Sequence, residues 1–305
     1  LTGTGNDFGN VLTLGSTGAV NVADANALSV DGVIGQTLSL AAGGLLTFGA
    51  TTVDGSVSVV TTGSIVQSGT VTFNNATALS AGAAVTLVDA ANQFAGVVTL
   101  STGGTVSLLD MDIIGIDGMV SGDLSIIADG AVDLGDLRVT GDLTIVGHGD
   151  IAQSNVDDVI YVNGDTTLTA NDGTTDYNIT LANRVSDTES LNYFVGDLVV
   201  TAAADVDIRA IETLRVGVTS STDADIYADD KIFLTGANVA GTLRSIGNFD
   251  MTGDITAQFI DFYSDSYLNM NGYSIRATAA GNEGYVNVIA EGDITLGHIE
   301  SPNGN

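Results

Sequence analysis

The chain has 305 residues, among them 39 Gly, 1 Pro, no Cys and no Trp, and its 37 acidic against 7 basic residues give a formal net charge of −30. That composition removes disulfides and thiolate chemistry, and the charge speaks against binding to nucleic acid or adsorption to anionic membranes. No run of about 18 apolar residues is present to cross a bilayer.

With only 9 Phe and 8 Tyr, a core must be built from small aliphatic residues in thin layers. Hydrophobic residues make up 44% of the chain and alternate regularly, so the acidity reads as a solvated coat over a packed interior, not as disorder. Leu1-Thr2-Gly3-Thr4 already lies in repeat-like sequence. Both ends therefore read as cuts inside a longer protein, with no signal peptide at the start.

Along the chain, alternating apolar pairs stand at Val57/Val59, Val71/Phe73, Val132/Leu134, Leu143/Ile145, Ile160/Val162, Ile179/Leu181, Leu198/Val200, Val206/Ile208, Ile232/Leu234, Val286/Val288 and Ile294/Leu296. Period-two alternation puts one set of side chains on a buried face, so each pair predicts a half-buried strand. Strand centres at Leu87, Val106, Leu124, Leu143, Val162, Leu181 and Val200 recur every 18 or 19 residues. Turn formers separate them, most clearly in the refrain Gly122-Asp123-Leu124, Gly141-Asp142-Leu143, Gly196-Asp197-Leu198, Gly253-Asp254-Ile255 and Gly292-Asp293-Ile294. No capped 3.6-residue pattern predicts a helix.

A longer repeat encloses the short one. Residues 6–68 align without gaps on residues 92–154, a shift of 86: Asn6-Asp7-Phe8 on Asn92-Gln93-Phe94, Val30-Asp31-Gly32 on Ile116-Asp117-Gly118, and Ile65-Val66-Gln67-Ser68 on Ile151-Ala152-Gln153-Ser154. A third copy begins near Asn192-Tyr193-Phe194, shifted by 100 from the second. One coil cannot bury enough surface to fold alone, whereas stacked coils share ladder hydrogen bonds and a continuous core. The expectation is an all-β parallel, right-handed β-helix, or β-solenoid: a single elongated rod over residues 1–305. Its long repeats span about 6–91, 92–191 and 192–305, and an insertion loop over about 171–190 is a candidate for recognition.

Three features together, namely the opening Asn-Asp/Gln-Phe, the Asp24-Ala25-Asn26 turn, and the Gly-Asp-Leu-x-Ile and Gly-x-Ile-x-Gln-Ser segments, resemble the repeat region of filamentous-haemagglutinin-like large exoproteins. The resemblance covers most of residues 6–297 and implies a shaft secreted through an outer-membrane partner pore, in an adhesin or biofilm-matrix fibre at the bacterial surface. It supplies no binding residue.

Right-handed β-helices also house polysaccharide lyases and hydrolases, so each candidate for chemistry needs weighing. Gly147-His148-Gly149 lacks the Gly-Asp-Asp before it and the Arg-Ile-Lys after it that polygalacturonase-like hydrolases require. His148 also falls where the sister copies have Thr62 and Asn248, as expected of a turn. Lys231, the only Lys, follows Asp229-Asp230 and reads as one half of an ion pair. Carboxylate pairs at Asp110/Asp112, Asp205/Asp207, Asp229/Asp230 and Asp261/Asp265 fit hard-cation or acid–base chemistry, but among 32 Asp such pairs arise by chance. Thr51/Thr52, Thr61/Thr62, Thr166/Thr167 and Thr174/Thr175 do not recur at coil spacing, so no regular Thr face is expected.

No catalytic, cofactor-binding or metal residue is therefore assigned, no cofactor beyond weak adventitious calcium is expected, and no polar cluster stands out as belonging to one copy alone. Partners expected for such a shaft are extracellular polysaccharide, cell-surface receptors and further copies of itself, side to side or end to end. The competing class is a carbohydrate-active enzyme, whose site would be a groove of carboxylates with a basic residue.

Overall fold

A computed structural model describes residues 1–3, 5–186, 189–278 and 284–300. They form strands and turns, with no helix among the described residues. The chain divides into two compact units, Leu1–Gly147 and His148–Asn305, and each is a parallel β-solenoid.

In the first unit every coil contributes to three strand ladders. One ladder runs Val20–Asp24, Leu38–Ala42, Val57–Thr61, Thr77–Ala81 and Val97–Thr102. A second stacks Leu46–Val53, Ile65–Gln67, Val85–Leu87, Val106–Asp110, Leu124–Ala128 and Leu143–Gly147. The third is shorter, carrying the ends of Leu28–Ile34 and Leu46–Val53 onto Val71–Phe73 and Gln93–Phe94. Sister strands of the first two long repeats, Val20–Asp24 and Val106–Asp110, lie in different ladders, so the second copy is turned by one side relative to the first.

Alternation delivers the core as expected. Leu38, Leu40, Val57, Val59, Leu124 and Ile126 are all buried, and Phe48, Phe73 and Phe94 stack edge to face along the axis at 5.4 and 5.8 Å. In the second unit Ile226, Leu243, Ile260 and Phe262 play the same part, with the Phe249 and Phe262 rings 4.7 Å apart.

Where a strand continues from one ladder into the next, it needs a bulge. Asp31 alone faces the bulged Gly49-Ala50 and Asp117 alone faces Gly135-Asp136, and pairing resumes at Gly32 with Thr51 and Gly118 with Leu137. Gly32 and Gly118 take φ of +124° and +105°, a left-handed region that side chains avoid. The third copy places the device differently: Thr235 is the extra residue, Gly217 pairs with Gly236, and the positive φ passes to Gly236 in the upper coil.

Buried polar groups recur at the joints between long repeats. Asn92 Oδ1 accepts hydrogen bonds from Gln67 Nε2 at 2.9 Å and the Val71 amide at 3.0 Å, while its Nδ2 donates to Gln67 Oε1 at 2.9 Å. The second unit repeats the pair: Asn192 Oδ1 accepts from Gln153 Nε2 and the Ile160 amide, and its Nδ2 donates to Gln153 Oε1 and the Leu181 carbonyl. The Gln ending one copy is thus clamped by the Asn opening the next.

Asp24 and Asp110 cap the turns that follow. Asp110 accepts the Phe94 and Asp112 amides at 2.7 Å each and is 1% exposed. Burial pushes its carboxyl up to about 6 against the pull of those two amides, and Asp112 and Asp129 push the same way as burial. Because the folded value lies above the ordinary 3.8, the folded state holds the proton more tightly. Stability from this group is full below about pH 4 and is lost as pH rises through 6, by at most about 3 kcal/mol. Asp110→Asn is expected to flatten that limb, measured as the difference between wild-type and variant urea midpoints at pH 4 and pH 7.

Candidate functional site

The second unit carries the features that the regular coils lack. In the first unit Ile65 stacks on Val85 and Val85 on Val106, steps of 20 and 21 residues. The sister steps, Ile151 to Ile179 and Ile179 to Val206, are 28 and 27, which together return the fourteen extra residues of the third repeat. The 171–190 segment is accordingly not one loop. Its centre, Ile179–Leu181, is a core strand, flanked by a turn over residues 171–178 and a short antiparallel pair, Arg184–Ser186 with Glu189–Ser190. Asp187 and Thr188 lie outside the described residues.

The turn is held by Asp172, which accepts the Thr174 hydroxyl and amide, the Thr175 amide and the Tyr177 hydroxyl. These bonds, Thr174's first, hold its carboxyl well below the usual carboxylate range. At the enlarged corner Asn183 Nδ2 and Gln153 Nε2 both donate to the Asp158 carbonyl, and Val156 projects with 79% of its surface exposed.

Beside this corner lies a charged face. Asp207 stands in register with Asp225, and Arg209 with Tyr227. Higher in the stack Arg244 pairs with Asp261 and Ile246 with Tyr263, then Asp261 with Asn287 and Tyr263 with Ile289. Asp207, Arg209, Asp225, Tyr227, Arg244 and Ile246 line a small open cleft of about 20 Å³. Two tracks result: a polar one of Asp207, Asp225, Arg244, Asp261 and Asn287, and beside it Arg209, Tyr227, Ile246, Tyr263 and Ile289.

Burial raises the Asp207 carboxyl, with Asp225 pushing the same way; Arg209, whose Nε is 3.7 Å from Asp207 Oδ1, and Arg184 oppose it. Asp207 Oδ1 still has no hydrogen-bond donor. The Arg209 guanidinium caps the Tyr227 ring at 5.2 Å.

This cluster corrects the expectation that no polar cluster belongs to one copy. The shift of 100 sets Asp207, Arg209, Asp225, Tyr227 and Arg244 on Ser107, Leu109, Ser125, Ile127 and Thr144. The second copy presents hydroxyls and aliphatics where the third presents acids, arginines and an aromatic. That hydroxyl column runs through Ser29, Thr47, Thr86, Ser107, Ser125 and Thr144 in one ladder, a mixture of Ser and Thr interrupted by Val66.

The other candidates lie apart from the cleft. Lys231 pairs with Asp250 of the next coil, not with its neighbours Asp229 and Asp230, and sits against the Phe233 and Tyr267 rings at 4.3 and 5.4 Å. Burial works to lower its ammonium, but bonds to Asp250 and Tyr267 outweigh burial and raise it. Arg215 is consumed similarly, by Asp197 at 2.6 Å and the Phe233 ring. His148 is half-buried in its turn. Of the carboxylate pairs, Asp205 accepts the Thr222 hydroxyl and Asp261 the Asn287 amide. No group of three His, Cys, Asp or Glu with metal-binding geometry occurs among the described residues.

These features define a repeat protein of the parallel β-solenoid class. Residues 35–101 and 121–201 match the family described as repeats of unknown function (DUF5649). No curated protein and no solved structure matches the chain.

Proposed function

We propose that the chain is part of the shaft of a secreted bacterial adhesin or biofilm-matrix fibre, acting at the cell surface by presenting repeated faces and not by catalysis. The carrying observation is what the long repeat preserves: the Gln67–Asn92 and Gln153–Asn192 pairs and the Asp24 and Asp110 caps all bind coil to coil. The match to a family of repeats supports the same reading. Partners are extracellular polysaccharide or surface receptors, further copies of the shaft, and for the parent protein an outer-membrane secretion pore. No cofactor is required, and calcium binds weakly if at all.

The Asp207/Asp225 pair beside Arg244 favours a second reading, a carbohydrate-active enzyme with two carboxylates facing one cleft and a basic residue beside them. Incubation with acidic and neutral polysaccharides separates the two. The shaft reading expects retention of polysaccharide without new reducing ends or unsaturated products. Turnover abolished by Asp207→Asn or Asp225→Asn would establish the enzyme instead.

A further inference from the structure

We infer that the double track of the second unit binds an extended, uncharged polysaccharide chain lying along the stack, one sugar to each coil. The inference rests on the shaft reading and names its ligand.

The spacing comes first. Parallel coils advance by about 4.8 Å, close to the advance of one pyranose in an extended linear chain. A straight ladder of side chains therefore meets one sugar per coil, and in an extended two-fold chain, whose successive rings are turned over, equivalent atoms recur at every second coil. The in-register pairs Asp207–Asp225 and Arg244–Asp261–Asn287, joined where Asp225 and Arg244 line one cleft, supply such a ladder.

The chemistry of the two tracks matches the two sides of a sugar. Carboxylates accept from vicinal hydroxyls, and an arginine fork donates to ring and hydroxyl oxygens. Asp225 and Arg244 are both exposed, and no hydrogen bond or ion pair engages either of them among the described residues. Asp207 Oδ1 is buried and lacks a donor, so Asp207 contributes its charge to the track and not that oxygen. On the neighbouring track Tyr263 and Ile289 are 40% and 47% exposed, an apolar rail for the C–H face of the rings. The cleft between Asp225 and Arg244, about 20 Å³, admits a single hydroxyl-sized group, so the rings lie outside it along the tracks.

Charge selects an uncharged chain. Asp207, Asp225 and Asp261 are balanced by Arg209 and Arg244 on the tracks and by Arg184, whose charge acts on Asp207 from the edge. With no positive excess here and a net charge of −30 overall, a polyanion gains nothing locally and is repelled at range.

The sister copy provides substitutions that its own coils already accommodate: Asp225→Ser and Arg244→Thr install the residues found at Ser125 and Thr144. The test is calorimetry of the full chain with cello-, chito- and manno-oligosaccharides of increasing length, and with oligogalacturonate as the polyanion. Affinity for at least one neutral series should rise at least tenfold from dimer to pentamer. It should fall at least tenfold in either variant, with circular dichroism and unfolding temperature unchanged.

Absence of length-dependent binding, binding that survives both substitutions, or preference for oligogalacturonate would overturn the inference and leave the shaft reading standing. Shortened oligosaccharides after incubation would overturn the shaft reading while leaving the track as a sugar site.

Discussion

Asn92→Ala is expected to lower stability by about 3 kcal/mol, read as an earlier urea transition of the first unit. Asn92 is fully buried, and its removal strands the Val71 amide and takes one partner from each end of the Gln67 side chain, which keeps the Gly69 carbonyl and the Asp89 amide. A buried polar group left without its partner costs about 1–3 kcal/mol, more than the net worth of the bond itself. Solenoids unfold in segments, so a global midpoint can understate a local loss. Hydrogen exchange at the Val71 amide is the sharper readout and should accelerate about a hundredfold. The double variant Gln67→Leu/Asn92→Leu should not recover the loss, since the Gly69 carbonyl and the Asp89 amide then lose their Gln67 partner in addition to the Val71 amide losing Asn92. A cost under about 1 kcal/mol for Asn92→Ala would mean that water takes the vacated place. The same argument applies to Asn192, which holds four partners.

The second large effect is expected at Gly118. Its φ of +105° is strained for any residue with a Cβ, and an added Cβ would be driven into the Leu100 carbonyl oxygen of the coil below. Backbone on both sides is fixed by the ladder, so neither strand can yield without breaking pairs. Gly118→Ala should cost more than about 4 kcal/mol, the range of the most damaging single substitutions. It should appear as loss of soluble chain or of the β signal in circular dichroism. Gly115→Ala is the control. The nearest atom to its Cβ would be a Val97 side-chain methyl at 3.3 Å, and its φ is not left-handed, so it should be tolerated to within about 1 kcal/mol.

The architecture was legible because alternation and coil length are both written locally. Val132/Leu134 and Leu143/Ile145 needed only a period of two to be placed inside, and they are buried. Copy alignment also paired Ile65-Val66-Gln67-Ser68 with its sister, but not Gln67 with Asn92. A contact spanning 25 residues depends on how many residues each corner consumes. The charged face was hidden for the same reason. Asp207 and Asp225 are eighteen residues apart in sequence, yet they are neighbours only once the register of two coils is fixed.

One signal could have found the face beforehand. Along the shift of 100, five outward positions change from hydroxyl or aliphatic to charged or aromatic while the inward positions stay aliphatic. The bulge shows the limit of such comparison: Gly32 and Gly118 predict a glycine at Val218, whereas the third copy solves the same turn with Gly236 one coil higher.

The one-side turn between the first and second copies bears on how such an array grows. A duplication of 86 residues advances the chain by a whole number of coils plus one side, so the two copies are related by a screw operation, not by a translation. A patch acquired by one copy and then duplicated in this step reappears facing a new direction, and three steps are needed before two patches share a line. Growth by this unit distributes new surface chemistry around the axis instead of along one line.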